Sequence, residues 1–85
     1  MATTKADRKT EPRGRARRTL QLDAAIYRRA ALERARRAFG DLAAIEITRQ
    51  GRNHVLRFSG MRSADAQRTV DEFVNYALAC LVIGA

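Results

Sequence analysis

The chain contains one histidine and one cysteine, His54 and Cys80, and neither lies in a pattern that supports catalysis. His54 begins a predicted strand beside a turn, where a histidine is usually solvated or structural. Cys80 lies in an apolar segment without a nearby base to activate its thiol, so we expect a small buried hydrophobic residue. Asp71 and Glu72 are neighbours on a predicted helix and point to different faces, so they do not form a paired-carboxylate site. These residue types predict a protein that is not an enzyme and has no cofactor or metal site.

Arginine side chains are the other group that could do chemistry, because they bind phosphates and carboxylates. The net charge is +8, and residues 1–18 hold seven of the 17 basic side chains but only two of the nine acidic ones. The candidate anion contacts are Arg13, Arg15, Arg17, Arg18, Arg28, Arg29, Arg36 and Arg37. No aromatic pair for base stacking and no glycine-rich phosphate loop accompanies them. Nucleic-acid binding is therefore the alternative function and not the leading one.

Residues 1–18 have almost no apolar side chain, and they include Pro12 and Gly14. We expect a disordered basic tail here, because the segment cannot bury enough surface to offset the entropy of ordering. Residues 19–85 then form a single domain. The chain has one cysteine and no signal-peptide pattern, and none of its apolar runs approaches the roughly 20 residues that span a bilayer. We therefore predict a cytoplasmic protein without a membrane partner.

Two segments of different period follow the tail. Thr19–Asp23 alternates around its two leucines, which predicts a short strand. From Ala24 to Phe39 the spacing becomes helical, and Asp23 is the predicted N-cap. The predicted buried stripe of this helix is Tyr27, Ala31, Ala35, Ala38, Phe39 and Leu42.

A hairpin and a second helix complete the chain. Ala43–Arg49 and His54–Gly60 alternate, and residues 50–53 between them are of types that favour a tight turn. Ser63 is the predicted N-cap of the last helix. The predicted buried stripe of that helix is Ala66, Val70, Phe73, Val74, Ala77 and Leu81.

The order of elements restricts the topology. A hairpin is antiparallel, and a strand–helix–strand crossover is nearly always right-handed. Together they favour one sheet with the third strand in the centre and both helices on one face. The predicted fold is therefore α+β, with β-α-β-β-α order and three strands, a ferredoxin-like split unit without its fourth strand. The alternative places the first two strands side by side in parallel.

Two features of this predicted fold indicate a binding partner. The last helix is apolar all round after Glu72, and such a helix is buried on more than one side. With the third strand in the centre, Thr19–Asp23 is an edge strand whose free backbone groups can recruit another strand. The predicted partner interface is Leu20, Leu22, Phe73, Asn75, Tyr76, Cys80 and Ile83. We expect a non-catalytic module that binds a protein or an extended peptide, as a homo-oligomer such as a dimer or in a hetero-complex. The opposing interpretation is a frayed apolar terminus and a short edge strand that is protected by its length and by the charge of the arginine-rich tail beside it.

Three short motifs resemble the His-Xaa-Ser system protein HxsD and its relatives. They are residues 22–27 (Leu-Asp-Ala-Ala-Ile-Tyr), residues 31–35 (Ala-Leu-Glu-Arg-Ala) and residues 72–78 (Glu-Phe-Val-Asn-Tyr-Ala-Leu). The resemblance extends over about residues 20–81. It implies a small accessory protein without an assigned activity, found beside radical-SAM enzymes in peptide-modification systems. It also implies a precursor peptide or a maturase as the partner, with Asn75 as the motif residue of the closing helix.

Overall fold

Two helices and three strands account for most of residues 14–83, which are the residues that this computed structural model describes. The order is β1 (Arg15–Asp23), α1 (Arg29–Ala38), β2 (Ala44–Gln50), β3 (Asn53–Arg62) and α2 (Ala66–Val82), with a 3-10 turn at Ser63–Asp65 before α2. This is the predicted β-α-β-β-α order of an α+β protein. Neither described helix is long and apolar enough to cross a membrane.

The sheet has the strand order β1-β3-β2, and both strand pairs are antiparallel. The third strand is therefore central, as predicted, and the alternative with β1 beside β2 is wrong. A two-residue turn joins β2 to β3, because Gln50 is paired directly with Asn53. Gly51 occupies this turn with a φ of +59°, a conformation that glycine adopts without the steric cost of a Cβ atom.

β1 begins at Arg15 and not at Thr19. The sequence assigns residues 15–18 to a disordered tail, but in the structure they belong to β1, which pairs with β3. The Ser63 N–H also donates to the Gly14 carbonyl, at 2.8 Å, which extends the pairing beyond the strand. The predicted tail boundary is therefore wrong for these residues. The rest of the predicted tail, residues 1–13, lies outside the described part of the chain.

The pairing of β1 with β3 continues past a bulge in β3. The register shifts near the start of β1, so that Ser59 and Gly60 of β3 lie opposite the single residue Arg17. Gly60 has a φ of +72°, the conformation of the glycine in a G1 bulge. The extra residue returns Met61 to the core side of the sheet, where it is fully buried opposite Ala16. A two-residue alternation does not continue through such a bulge, so the predicted third strand ends at Gly60 whereas β3 continues to Arg62.

The segment after β1 is a turn, so the predicted helix start at Ala24 is wrong. The Asp23 carboxylate accepts a hydrogen bond from the Ala25 N–H (2.8 Å), and the Asp23 carbonyl accepts one from the Tyr27 N–H (2.8 Å). An aspartate that bonds the backbone two residues on stabilises a turn, which competes with helix formation. α1 begins only at Arg29, and Asp23 is not its N-cap.

The core lies between one face of the sheet and both helices, as predicted. Its buried members are Leu22, Leu32, Ala35, Phe39, Ala43, Ile45, Leu56, Phe58, Met61, Ala66, Val70, Phe73 and Ala77. The Phe73 ring contacts Phe58 and Phe39 edge to face, with 5.1 and 5.7 Å between ring centroids. Phe73 therefore joins α2 to both the central strand and α1.

The buried stripe of α1 differs from the predicted one. Leu32, which the predicted stripe omits, is fully buried, whereas Ala38 and Leu42 are exposed. The predicted stripe continues past Ala38, where α1 ends, so Leu42 does not lie on a helical face. Ser63 is also not the N-cap of α2, because it lies in the 3-10 turn that precedes that helix.

Candidate interaction surfaces

β1 has a strand on one side only among residues 14–83. The Ala24 N–H donates to the Arg52 carbonyl (2.8 Å), which continues the β1–β3 bonding one step beyond the strand. Because the bonding direction alternates along an antiparallel strand, Leu22 directs its backbone groups to β3. Thr19 and Gln21 therefore direct their N–H and C=O groups outward, along an edge that no described strand covers.

The second free edge belongs to β2. His54 is paired with Leu22, so its backbone groups point to β1. The backbone groups of the next residue, Val55, therefore point to β2, where Val55 is paired with Thr48. Ile47 and Arg49 therefore direct their backbone groups outward. The two edges differ in what lies beside them.

The long helix lies over β1. α2 packs over β1 and β3 and against α1. Tyr76 lies on the side of α2 that meets α1, because its ring contacts Phe39 edge to face with 5.8 Å between centroids. At 3.6 residues per turn, Val74, Leu78 and Leu81 lie on the opposite side of α2, which is turned away from α1. Val74 and Leu81 are half-buried, and Leu78 is 39% exposed. These three residues are the apolar flank of α2.

The predicted partner interface is divided between the core and the surface. Three of its members have 8% exposure or less: Leu22, Phe73 and Cys80. Their side chains are part of the domain interior and cannot contact a partner, so the sequence interpretation needs correction for these three. Leu20 is half-buried against the core. The exposed members are Asn75, Tyr76 and Ile83. Phe73 and Cys80 are buried because α2 packs on α1 as well as on the sheet.

Arginines of two strands meet on the face of the sheet that the helices leave open. Alternation places Arg15 and Arg17 of β1 on this face, and the register places Arg57 of β3 beside Arg17 and Arg62 opposite Arg15. Arg57 forms an ion pair with Glu46 of β2, at 3.5 Å. A shallow groove of about 370 Å³ at this end of the sheet is lined in part by Arg17, Arg18 and Arg57. The contribution of Arg57 is not visible in the sequence, because only the β1–β3 pairing brings it to the β1 arginines.

The arginines of α1 lie on the other side of the sheet, so the predicted anion contacts do not form one surface. Arg29 and Arg36 both form ion pairs with Glu33, at 2.8 and 2.7 Å. The hydrogen bond from Arg29 is the main reason that the pKa of Glu33 is lowered. The remaining predicted contacts are Arg28 and Arg37, which are exposed, and Arg13, which lies outside the described residues.

His54 lies within the domain and not in a cleft. It is 4% exposed, and its Nδ1 atom has no hydrogen-bond partner. It is paired with Leu22 in β1 and Arg49 in β2. Burial lowers the pKa of His54, the charges of Arg49 and Arg29 lower it further, and a hydrogen bond with the Tyr27 backbone raises it. A buried neutral imidazole of this kind is a structural residue.

The buried histidine predicts that acid destabilises the protein. The pKa of His54 is lower in the folded chain than its ordinary value of 6.5, so the unfolded chain binds more protons. The free energy of unfolding should therefore fall as the pH decreases below about 6.5. His54→Leu removes the titrating group and should flatten this dependence between about pH 7 and pH 5, measured by urea denaturation at each pH. An equally steep dependence in the variant would contradict the assignment. The lowered pKa of Glu33 adds a separate loss of stability, but only at pH values below its ordinary value of 4.5.

Within residues 14–83 there is no group of three or more histidine, cysteine, aspartate or glutamate side chains that could hold a metal ion. Comparisons with protein-family models, with curated proteins and with solved structures find no match to this chain. The resemblance to the HxsD family therefore stays a prediction from the three motifs.

Proposed function

We propose that this chain is a non-catalytic interaction module that binds a protein segment in an extended conformation along the outer edge of β1. The observation that supports the proposal is a nine-residue strand with a free edge beneath the apolar flank of α2. The outward backbone groups of the edge would bond the added strand, and the flank would cover its alternate side chains. A second copy of the chain and a different protein are both possible sources of such a segment.

The β1 edge is the better candidate of the two free edges. β1 has nine residues and β2 has seven, so β1 offers more backbone groups. α2 packs over β1 and β3, and its apolar flank is turned away from α1. A strand added to β1 would therefore bury Leu78, whereas a strand added to β2 would not reach it.

Peptides selected from a random library against the full chain test this function. Thr19→Pro removes an outward N–H and places a ring on the β1 edge without removing a hydrogen bond to β3. Proline is tolerated in edge strands at positions whose N–H faces solvent, so this variant should fold. We expect the selected peptides to bind it at least about tenfold more weakly than the unaltered chain, a difference of roughly 1.4 kcal/mol in binding free energy.

Two matched controls belong to this experiment. Arg49→Pro makes the same change on the β2 edge and should leave peptide affinity unchanged. Leu78→Glu places a charge on the apolar flank and should weaken binding, whereas Leu42→Glu places the same charge on an exposed leucine before β2 and should not. Peptides that bind all four variants as tightly as the unaltered chain would count against the proposal.

The identity of the segment has one further source of support. The resemblance to the HxsD family favours a precursor peptide or the enzyme that modifies it as the partner. The chain would then be an accessory protein of a peptide-modification system, and Asn75, which is exposed on α2, would be accessible to that partner.

A second candidate function is nucleic-acid binding. The cluster of Arg15, Arg17 and Arg57 at one end of the open sheet face favours it, because phosphates bind such clusters. The open face presents no aromatic side chain for base stacking among the described strand residues, which leaves charge as its sole source of affinity.

A further inference from the structure

We infer that the segment bound at the β1 edge is acidic: an extended part of another protein that alternates carboxylate and apolar side chains. This inference rests on the proposed function and follows from the charges along β1. The first half of the strand carries Arg15, Arg17 and Arg18, and its one carboxylate is Asp23 at the far end. All four side chains are exposed.

The register of an added strand determines where each kind of side chain falls. Residues opposite Arg15 and Arg17 would share the open face with them, where Arg57, which is paired with Glu46, lies beside Arg17. The residues that alternate with these positions would face the helix side, next to Ala16, the exposed Arg18 and the half-buried Leu20. Carboxylates in the first set and apolar side chains in the second satisfy both surroundings.

The charge of β1 disfavours the two occupants that this chain could supply itself. Residues 1–13 hold four basic and two acidic side chains, so the segment before β1 repels the edge. A second copy paired through β1 would bring six arginines and two aspartates together along one seam, an excess of four positive charges. An antiparallel pair centred on Thr19 would place Arg15 opposite Asp23, but the seam would keep the same excess of positive charge, which is destabilising. An acidic segment from another protein has no such cost.

Two synthetic peptides of equal length test the inference, one alternating glutamate with valine and the other alternating lysine with valine. Each is titrated into the full chain by isothermal titration calorimetry. We expect the acidic peptide to bind at least about tenfold more tightly, because the lysine peptide places like charges opposite the arginines. Added salt should weaken the binding of the acidic peptide, because salt screens exposed charges. The loss of affinity caused by Thr19→Pro should stay the same, because salt leaves backbone hydrogen bonds in place.

A charge variant and its control locate the contact. Arg15→Gln combined with Arg17→Gln should weaken the acidic peptide by about three- to tenfold, the range expected for exposed ion pairs. Arg28→Gln combined with Arg37→Gln removes the same net charge from α1 and should change the affinity by less than about twofold. Equal losses in the two double variants would show that only net charge matters and would overturn the inference.

The remaining outcomes separate this inference from the proposed function. Equal affinity for the two peptides, or no binding of either, overturns the acidic partner. Library peptides that still depend on Thr19 would then leave the proposed function intact. If light scattering shows a dimer and Thr19→Pro dissociates it, the occupant of the edge is a second copy of the chain. This result also overturns the inference. A single-stranded oligonucleotide can also be tested as a competitor. If it displaces the acidic peptide and binds Thr19→Pro as tightly as the unaltered chain, its target is the basic face and not the edge, and the inference is overturned.

Discussion

Replacing Phe73 with alanine is expected to lower the free energy of unfolding by about 3–5 kcal/mol. The Phe73 side chain is fully buried, and its ring contacts both Phe58 of the central strand and Phe39 beyond α1. Its removal leaves a cavity where the sheet and both helices meet. For a domain of this size the midpoint of thermal unfolding should fall by about 12 °C or more. Urea and thermal denaturation followed by circular dichroism measure both quantities.

Leu78→Ala is the matched control for this prediction. Leu78 lies on the same helix, but it is 39% exposed, so its truncation should change stability by about 0.5 kcal/mol or less. The comparison also tests the division of the predicted interface. A Phe73→Ala protein as stable as the unaltered chain, but unable to bind peptides, would restore Phe73 to the partner interface and contradict the structure.

Replacing Leu32 with alanine should cost about 2–5 kcal/mol of unfolding free energy. Leu32 is fully buried in α1 and belongs to the same core cluster as Phe73. The predicted stripe of α1 omits this residue and includes Ala38, so the two positions distinguish the structure from the sequence pattern. Urea denaturation at neutral pH provides the measurement.

Ala38→Lys is the counterpart of that variant. If Ala38 faced the core, a lysine there would bury a charge and destabilise the fold by several kcal/mol. In the structure Ala38 is exposed at the end of α1, so the substitution should change stability by about 0.5 kcal/mol or less. A strongly destabilised Ala38→Lys protein with a tolerant Leu32→Ala protein would mean that α1 is rotated relative to the structure described above.

Features that depend on neighbours in sequence were predictable. The β2–β3 hairpin follows from alternating apolar residues on both sides of a short turn that contains Gly51, because turn chemistry and strand period act over a few residues. The central position of β3 follows from that hairpin together with the right-handed crossover. The burial of Phe73 in the core stripe of the last helix follows from helical spacing. Helix starts were less predictable, since the Asp23 side chain stabilises a turn as readily as a helix.

The interaction surfaces depend on contacts between distant segments. The sequence by itself determined a free edge at the first strand and an excess of apolar surface on the last helix. Only the tertiary structure decided which part of that surface is open. α1 packs on the Tyr76 side of α2, because Phe39 contacts both Phe73 and Tyr76, and the flank with Leu78 is turned away from α1. Likewise, the pairing of residues 15–18 with β3 across the bulge at Gly60 turns part of a predicted tail into the basic half of the proposed binding edge. A one-residue change in register moves side chains between sheet faces, and no pattern within a single segment can encode that.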